Sequence, residues 1–475
     1  MENFSNFLCM RSEVSLVVVI ISLLAYDLIA GRKGMQYFQP VTLTLFAIHT
    51  VLHLLPHEAG TAFGGMYTYI PMAGVVKTIL NIATLIIFLQ AEAFNGEKLS
   101  NKRGEYYFLT LVTLLGFYFM ISSGHFLLFY IGLEMASIPI GTLAAMEKQS
   151  KKSAEAGAKY ILLATFSSGI MLFGISYLYG TTGTLYFADI PALIGANTLQ
   201  IMAFVFFMAG IFFKISLVPF HMWTPDVYEG APTNVTSYLS VVSKGAALFA
   251  LALLLYKVFG NLVGQWQGIL YGLVIVSITL ANLFAIRQKN IKRFLAFSSI
   301  SQAGYIVLGI VGGTAFGMTT LVYYIFVYLF SNLAAFGVVT AIENRTGKIN
   351  IGDYKGLYST NPMLSFVMML SMFSLGGIPP LAGFFSKFFI FAAAMEQGFY
   401  VLVLIAVINT IVSLYYYLLV VKAMFIDRNE HPIPALQTDV YNKASLIFCT
   451  AGILLAGIFS IFMEKIETFG FAMLQ

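Results

Sequence analysis

Fourteen apolar stretches, each close to the length a helix needs to cross a bilayer, dominate this chain and leave few folds open to it. A spanning helix takes about 20 apolar residues. The stretches lie near residues 13–31, 40–56, 70–92, 105–122, 125–145, 156–180, 199–222, 233–258, 266–286, 293–312, 316–342, 362–397, 399–425 and 444–464. The twelfth is too long for one straight span and contains Gly376, Gly377, Pro379 and Pro380, so it reads as two half-helices. The expected fold is an all-α polytopic membrane protein with about fourteen transmembrane helices.

Composition agrees. Of 475 residues, 59% are hydrophobic and 10% charged, with mean hydropathy +0.85; a soluble protein carries about 25% charged residues. No soluble domain of any size is left over. The net charge of +5 reflects loop bias, and no Lys/Arg run suits nucleic acid. Cys9 and Cys449 lie far apart and cannot form a disulfide framework or hold an iron–sulfur cluster. The N-terminal segment Met1–Glu13 lacks a basic signal-peptide region, so Val14–Ala30 is expected to stay as a first span.

Basic residues set orientation. The odd-numbered loops hold eighteen Lys and Arg, among them Arg32, Lys33, Lys98, Lys102, Arg103 and Arg287, whereas the other side holds only Arg11, Lys257 and Lys465. Odd loops are therefore expected in the cytoplasm and both termini outside.

The spans also hint at duplication. Span 4 and span 9 start about 161 residues apart, and the proline breaks at Pro219 and Pro379–Pro380 lie about 160 apart, the arrangement of inverted repeats with discontinuous helices. Residues 1–104 then form an N-terminal three-helix segment, 105–260 a first five-helix repeat, 261–428 a second inverted repeat, and 429–475 a C-terminal helix. Helices 7 and 12 are the broken pair.

Five lysines fall inside spans: Lys77, Lys159, Lys214, Lys244 and Lys387. A charge at the bilayer centre costs roughly 3 kcal/mol on insertion scales. Lys214 lies in the middle of the hydrophobic stretch Ile201–Leu217, five residues before Pro219, where the carbonyl of Ile215 is expected to lose its helical partner. Irregular backbone at that depth lines a protein or water cavity. Burial disfavours the charged amine and a nearby carboxylate favours it, so an amine balanced between them changes protonation when a neighbour moves. Glu134, in the apolar run Phe126–Ile140, is the natural partner. Lys244 and Lys387 are too deep to snorkel easily. Three buried amines suggest a row that relays protons.

The other candidates read more plainly. Lys159 lies near the cytoplasmic end of span 6, Lys77 near the outer end of span 3 as an interfacial residue, and Asp27 near the inner end of span 1. His49, His53 and His57 form a stripe with only Glu58 nearby, a poor metal site, and read as an interfacial contact. Trp223–Thr233 reads as a cytoplasmic loop, and His221 at its start could feed protons inward. No Walker, dinucleotide or Cys-x-x-Cys motif occurs, so the chain carries no electrons itself.

Several segments resemble the antiporter-like subunits of respiratory complex I: Phe213–Thr233 around Lys214, Pro219 and His221; Gly132-Leu-Glu134-Met-Ala-Ser; Gly157-Ala-Lys159-Tyr-Ile-Leu; Asn290–Tyr305; and Leu375-Gly-Gly-Ile-Pro-Pro-Leu-Ala-Gly-Phe-Phe-Ser-Lys387. The Val-Tyr-Glu-Gly-Ala-Pro variant is similar to the subunit N branch. The resemblance covers nearly the whole chain. It implies a fourteen-helix fold, proton translocation coupled to quinone reduction elsewhere, and a charged axis of Glu134, Lys214, Lys244 and Lys387, with Lys159 as the family's lysine of span 6. It implies that NADH, FMN, iron–sulfur clusters and quinone belong to other subunits, with none of these cofactors and no metal in this chain. Other membrane-arm subunits and the lipid bilayer are the implied partners, in a bacterial inner membrane. No long lateral helix is expected before the chain stops at Gln475. The second half has only Ser298, Ser299 and Ser301 where an equivalent of Glu134 would stand, so a second Glu–Lys couple is not expected. The alternatives are a cation/proton antiporter subunit, a structural subunit with a dead channel, and a membrane-bound hydrogenase subunit.

Overall fold

The computed structural model describes residues 8–30, 34–55, 58–91, 102–459 and 461–470. His57, Arg32, Lys33 and Lys98 lie outside the described residues. Helices fill the chain in the order α1 (Arg11–Ile29), α2 (Phe38–His53), α3 (Pro71–Gln90), α4 (Arg103–Ile121), α5 (Phe126–Ala144), α6 (Lys151–Thr182) and α7 (Thr198–Ile215). They continue as α8 (Trp223–Gly230), α9 (Thr233–Lys257), α10 (Gly260–Ile286), α11 (Ile291–Val311), α12 (Ala315–Thr346), α13 (Pro362–Gly376), α14 (Ala382–Glu396), α15 (Tyr400–Phe425), α16 (Val440–Ile458) and α17 (Ile461–Gly470). The protein is an all-α polytopic membrane protein.

Among the described residues, twelve helices are long and apolar enough to cross a membrane. Two of the fourteen expected spans fall short of that measure. The second is the 16-residue α2, and the twelfth is divided into α13 and α14 of 15 residues each. One element had no signal in the sequence reading: an antiparallel hairpin, β1 (Gly60–Ala62) with β2 (Tyr67–Tyr69), whose Thr68 N–H donates to Ser122 O at the end of α4.

Local chemistry explains where the helices start and stop. Side chains of Ser150, Asn197, Asn290, Thr314 and Asp439 accept first-turn N–H groups of α6, α7, α11, α12 and α16, satisfying donors that a helix start leaves free. The two 32-residue helices α6 and α12 both end on a left-handed glycine, Gly183 and Gly347, the usual helix stop.

The prolines act differently from the expectation. Helix α7 already ends at Ile215, where Ser216 takes a left-handed conformation (φ 64°) and its N–H donates to Phe213 O. Pro219 therefore lies in an irregular turn beyond the helix and kinks nothing. The segment expected as a loop after Trp223 is mostly α8, with Thr233 starting α9. In the second half α13 ends at Gly377 (φ 85°) before Pro379–Pro380.

The apolar stretches of α9 and α11 are buried on every side, and that of α12 nearly so. A helix apolar on all sides belongs in the centre of a bundle. Helices α6, α10, α15 and α16 keep wide apolar faces outward, as lipid-facing surfaces do.

Candidate functional site

The lysine row is built on these central helices. Lys214, in the last turn of α7, is 3% exposed. Its Nζ donates to Ser137 Oγ (2.7 Å) on α5 and to Tyr160 OH (3.1 Å) on α6, and lies 5.6 Å from the Phe117 ring centre. The last turn of a helix presents free carbonyls and negative dipole, which suits a cation.

Glu134 is half-buried on α5, one turn before Ser137. It makes no ion pair with Lys214: the amine meets the glutamate's helix at the serine instead. Glu134 Oε1 is buried without a protein hydrogen-bond partner. The acid lies beside Tyr130 on its own helix, three residues before the serine that holds Lys214.

Lys244 is 2% exposed on α9, directly after a π-helical turn, Leu239–Ser243. Such widened turns frequently mark functional positions in helices. Its Nζ donates to Ser299 Oγ (2.7 Å) on α11 and sits 5.6 Å from the Tyr228 ring centre. A cavity of about 10 Å³ lies beside it, lined by Ser299, Ala303 and Tyr328, about the room one water requires.

Lys387 is 4% exposed on α14 and reaches back across the break. Its Nζ donates to Leu375 O (3.0 Å) and Gly376 O (3.2 Å), the open carbonyls at the end of α13, and lies 5.0 Å from the Tyr305 ring centre. Leu375 O also accepts from Gln302 Nε2 (3.2 Å), Gln302 donates to Tyr417 OH (3.2 Å), and Tyr417 OH pairs with Ser298 Oγ (2.6 Å). Ser298 neighbours Ser299, so one turn of α11 links the surroundings of Lys244 to those of Lys387. Between Lys214 and Lys244 stand packed rings, Tyr160 against Trp223 (5.2 Å) and Trp223 against Tyr228 (6.3 Å). Tyr228 OH and His221 Nδ1 are buried there without protein partners, and buried polar atoms of that kind are satisfied by water.

None of the three amines has a carboxylate partner within ion-pair distance. Neutral oxygens cannot fully offset a buried ammonium. This distinguishes the row from the other buried lysines.

Lys159 stands apart from the row. Its side chain is 40% exposed and paired with Asp226 (2.6 Å) and Glu155 (2.7 Å). Arg293 bridges Asp226 (2.7 Å) and Glu229 (3.1 Å), and Lys152 holds Glu229 (2.9 Å). This network ties α8 to α6 and α11. Burial pushes the Asp226 carboxyl up, but hydrogen bonds from Lys159 and Arg293 outweigh it and hold the acid below its ordinary value. Glu229 is lowered in the same way, burial being outweighed by Lys152 and Arg293.

Lys77 and His49 depart from their expected interfacial places. Lys77 is fully buried and ion-paired with Glu13 (2.5 Å), and His49 is 1% exposed. Helix α3 packs on α2 and the central bundle, and Lys77 reaches Glu13 on α1, which takes these side chains out of the interface. Among the described residues, no group of three or more His, Cys, Asp or Glu side chains could hold a metal.

Residues 123–413 match the family described as NADH:quinone oxidoreductase/Mrp antiporter, TM. The chain is 56% identical over 460 residues to NADH-quinone oxidoreductase subunit N of Phocaeicola vulgatus, covering 96% of this chain and 97% of the relative. It is 53% identical over 478 residues to the protein of that name from Azobacteroides pseudotrichonymphae, covering both completely. The chain belongs to the subunit N family. A subunit of respiratory complex I from Thermus thermophilus superposes with TM-score 0.80 at 30% identity, over 94% of this chain and 97% of that one.

Within this subunit N chain, sequence reasoning found the amines but not what holds them. Ser137, Tyr160, Ser299, Gln302 and Tyr417 were missed as partners. Two had a usable signal: Ser137 shares a helix face with Glu134 at the i, i+3 spacing, and the serine cluster at 298–301 lies in an otherwise apolar span.

Proposed function

We propose that this subunit N chain moves protons across the membrane, driven by quinone reduction in other subunits of NADH-quinone oxidoreductase, along Glu134, Lys214, Lys244 and Lys387. The observation that carries this reading is the row of three buried amines held only by hydroxyls and carbonyls. Such groups gain or lose a proton when a nearby charge moves by an ångström or two, because little fixed charge opposes the change.

In this mechanism a charge shift from a neighbouring subunit brings Glu134 toward Lys214 or draws it away. When the acid withdraws, Lys214 passes its proton toward Lys244 through the Tyr160–Trp223–Tyr228 wall, where unpartnered polar atoms hold water. The Ser298 and Tyr417 hydroxyls lie along the next step toward Lys387, which water between them completes, while Gln302 orients Tyr417 and the Leu375 carbonyl that holds the amine. Lys159 acts at the inner mouth, where its ion pairs seat α8, and not as a buried carrier. One pKa unit corresponds to about 1.36 kcal/mol, so small rearrangements suffice to reverse each equilibrium.

The same reading divides the chain into residues 1–104, two inverted five-helix units at 105–260 and 261–428, and a C-terminal part at 429–475. Matching breaks after α7 and α13 and matching 32-residue helices α6 and α12 support that division. The excess of basic residues on one side supports a bacterial inner membrane with both termini outside. Redox cofactors and quinone belong to the partner subunits.

The decisive experiment uses Lys214→Ala in the intact complex reconstituted in liposomes. NADH-driven pumping is lost while assembly persists; normal pumping would remove Lys214 from the path.

A further inference from the structure

The N-terminal segment holds a second buried cluster that the lysine row does not use. Glu13 on α1 is 2% exposed and Lys77 on α3 is 0% exposed. Lys77 Nζ donates to Glu13 Oε1 (2.5 Å) and lies 3.3 Å from Tyr67 OH, which itself donates to Glu13 Oε2 (2.9 Å). Rings of Tyr67, Tyr69 and Tyr118 surround the ammonium at 5.4, 5.7 and 5.1 Å. Lys77 lies six residues into α3, about 9 Å below the helix start at a rise of 1.5 Å per residue. The hairpin carrying Tyr67 and Tyr69 forms the roof.

His49 extends the cluster. Its Nδ1 pairs with Ser15 Oγ (2.9 Å), and its Nε2 faces Tyr118 OH (3.2 Å) and Asn81 Nδ2 (3.4 Å). Tyr118 OH donates to Asn81 Oδ1. The imidazole thus has hydroxyl contacts on both nitrogens, the arrangement in which a ring can take a proton at one and release it from the other. His53 packs edge-to-face against His49 and Tyr118 at 5.2 and 5.5 Å. It also lines an open cavity of about 430 Å³ with Tyr69, Pro71, Thr78 and Lys465. The titratable groups around the cluster are Glu13 and Arg11 on α1, His49 and His53 on α2, Tyr67 and Tyr69 on the hairpin, and Tyr118 on α4.

Helix α4 joins this cluster to the row. Tyr118 faces it, while the preceding residue, Phe117, covers Lys214. We propose that Glu13, Lys77 and His49 form a second proton-binding site, reached through the His53 cavity and coupled to Lys214 across α4. A proton arriving on the Glu13 carboxylate leaves Lys77 without its counter-charge, and a proton leaving Lys77 does the same to Glu13. Either event changes the buried charge by one unit behind Phe117, where low polarity lets it be felt at Lys214. The cluster thereby lets the far side of the membrane bias the row.

This inference rests on the proposed proton-moving function, so its test has two readouts. The first compares wild type, Glu13→Gln/Lys77→Met, His49→Gln and Lys214→Ala in the intact complex in liposomes, as protons moved per NADH oxidised. Removing both partners of a buried pair is often neutral for stability, whereas removing one is not, so the double variant is the informative one. The expected result is retained quinone reduction with fewer protons per NADH in the double variant and in His49→Gln; should the double variant fail to assemble, His49→Gln decides. A wild-type ratio in these variants, with pumping lost in Lys214→Ala, overturns the second site and leaves the row standing. The second readout is independent of pumping: infrared difference spectra of the purified complex titrated with acid. A carboxyl band that disappears in Glu13→Gln supports the site, and its absence in wild type overturns it even where Lys214→Ala pumps normally.

Discussion

The two broken regions hold their lysines by different means. After α7, Lys214 sits at the end of its own helix, held by hydroxyls from two neighbouring helices with a loosely held acid one turn away. After α13, Lys387 belongs to the following half-helix and closes the carbonyl end of the preceding one. The first arrangement can be adjusted from outside, because Glu134 and two rotatable hydroxyls can move. The second is fixed by backbone dipoles, which cannot. One break suits receiving a signal, and the other suits a carrier that gains and loses its proton in unchanging surroundings.

That contrast can be attacked in order of effect. Lys387→Ala should abolish pumping and also loosen the α13–α14 junction, since two carbonyls lose their donor; proton movement and thermal melting of the complex, measured together, check both. Glu134→Gln should slow pumping about tenfold or more, a change of roughly 1.4 kcal/mol, while leaving melting unchanged; equal slowing on introducing an acid beside Lys387 would erase the distinction. Ser137→Ala should give a smaller, several-fold loss, since Tyr160 still holds the amine and a water can take the place of the lost hydroxyl. Gly377→Ser should cost about 1 kcal/mol of stability, because its left-handed backbone disfavours a side chain and a Cβ would meet Lys387 Cδ at 3.1 Å. Ser216 accepts the same backbone conformation while its hydroxyl accepts from Thr224 at 2.7 Å.

The smallest effect concerns the α8 network. Asp226 and Glu229 are held below their ordinary values, so their contribution is complete above about pH 4 and fades as pH falls through the lowered values. Hydrogen exchange of α8 amides should therefore stay slow at neutral pH and quicken only in acid. Quickening near pH 7 would contradict it.

Much of this was legible because the bilayer simplifies the problem. Apolar length alone located the spans, and the cost of buried charge singled out Lys214, Lys244 and Lys387. What failed was anything set by packing between distant segments. Lys77 looked interfacial because Glu13 lies 64 positions away, and a partner at that separation leaves no local trace. The hairpin was invisible because its strands are three residues each. The break was expected at Pro219 but begins three residues earlier, at Ser216, because sequence marks where a helix cannot continue, not where it has already stopped.

The matched 32-residue helices have a consequence for the membrane itself. At 1.5 Å per residue each is about 48 Å long, against roughly 30 Å of hydrocarbon. Such rods must lean or project. Lipid thickness then becomes a mechanical input: a thinner host bilayer tips both rods further, and turnover in short-chain and long-chain lipids should differ for that reason alone.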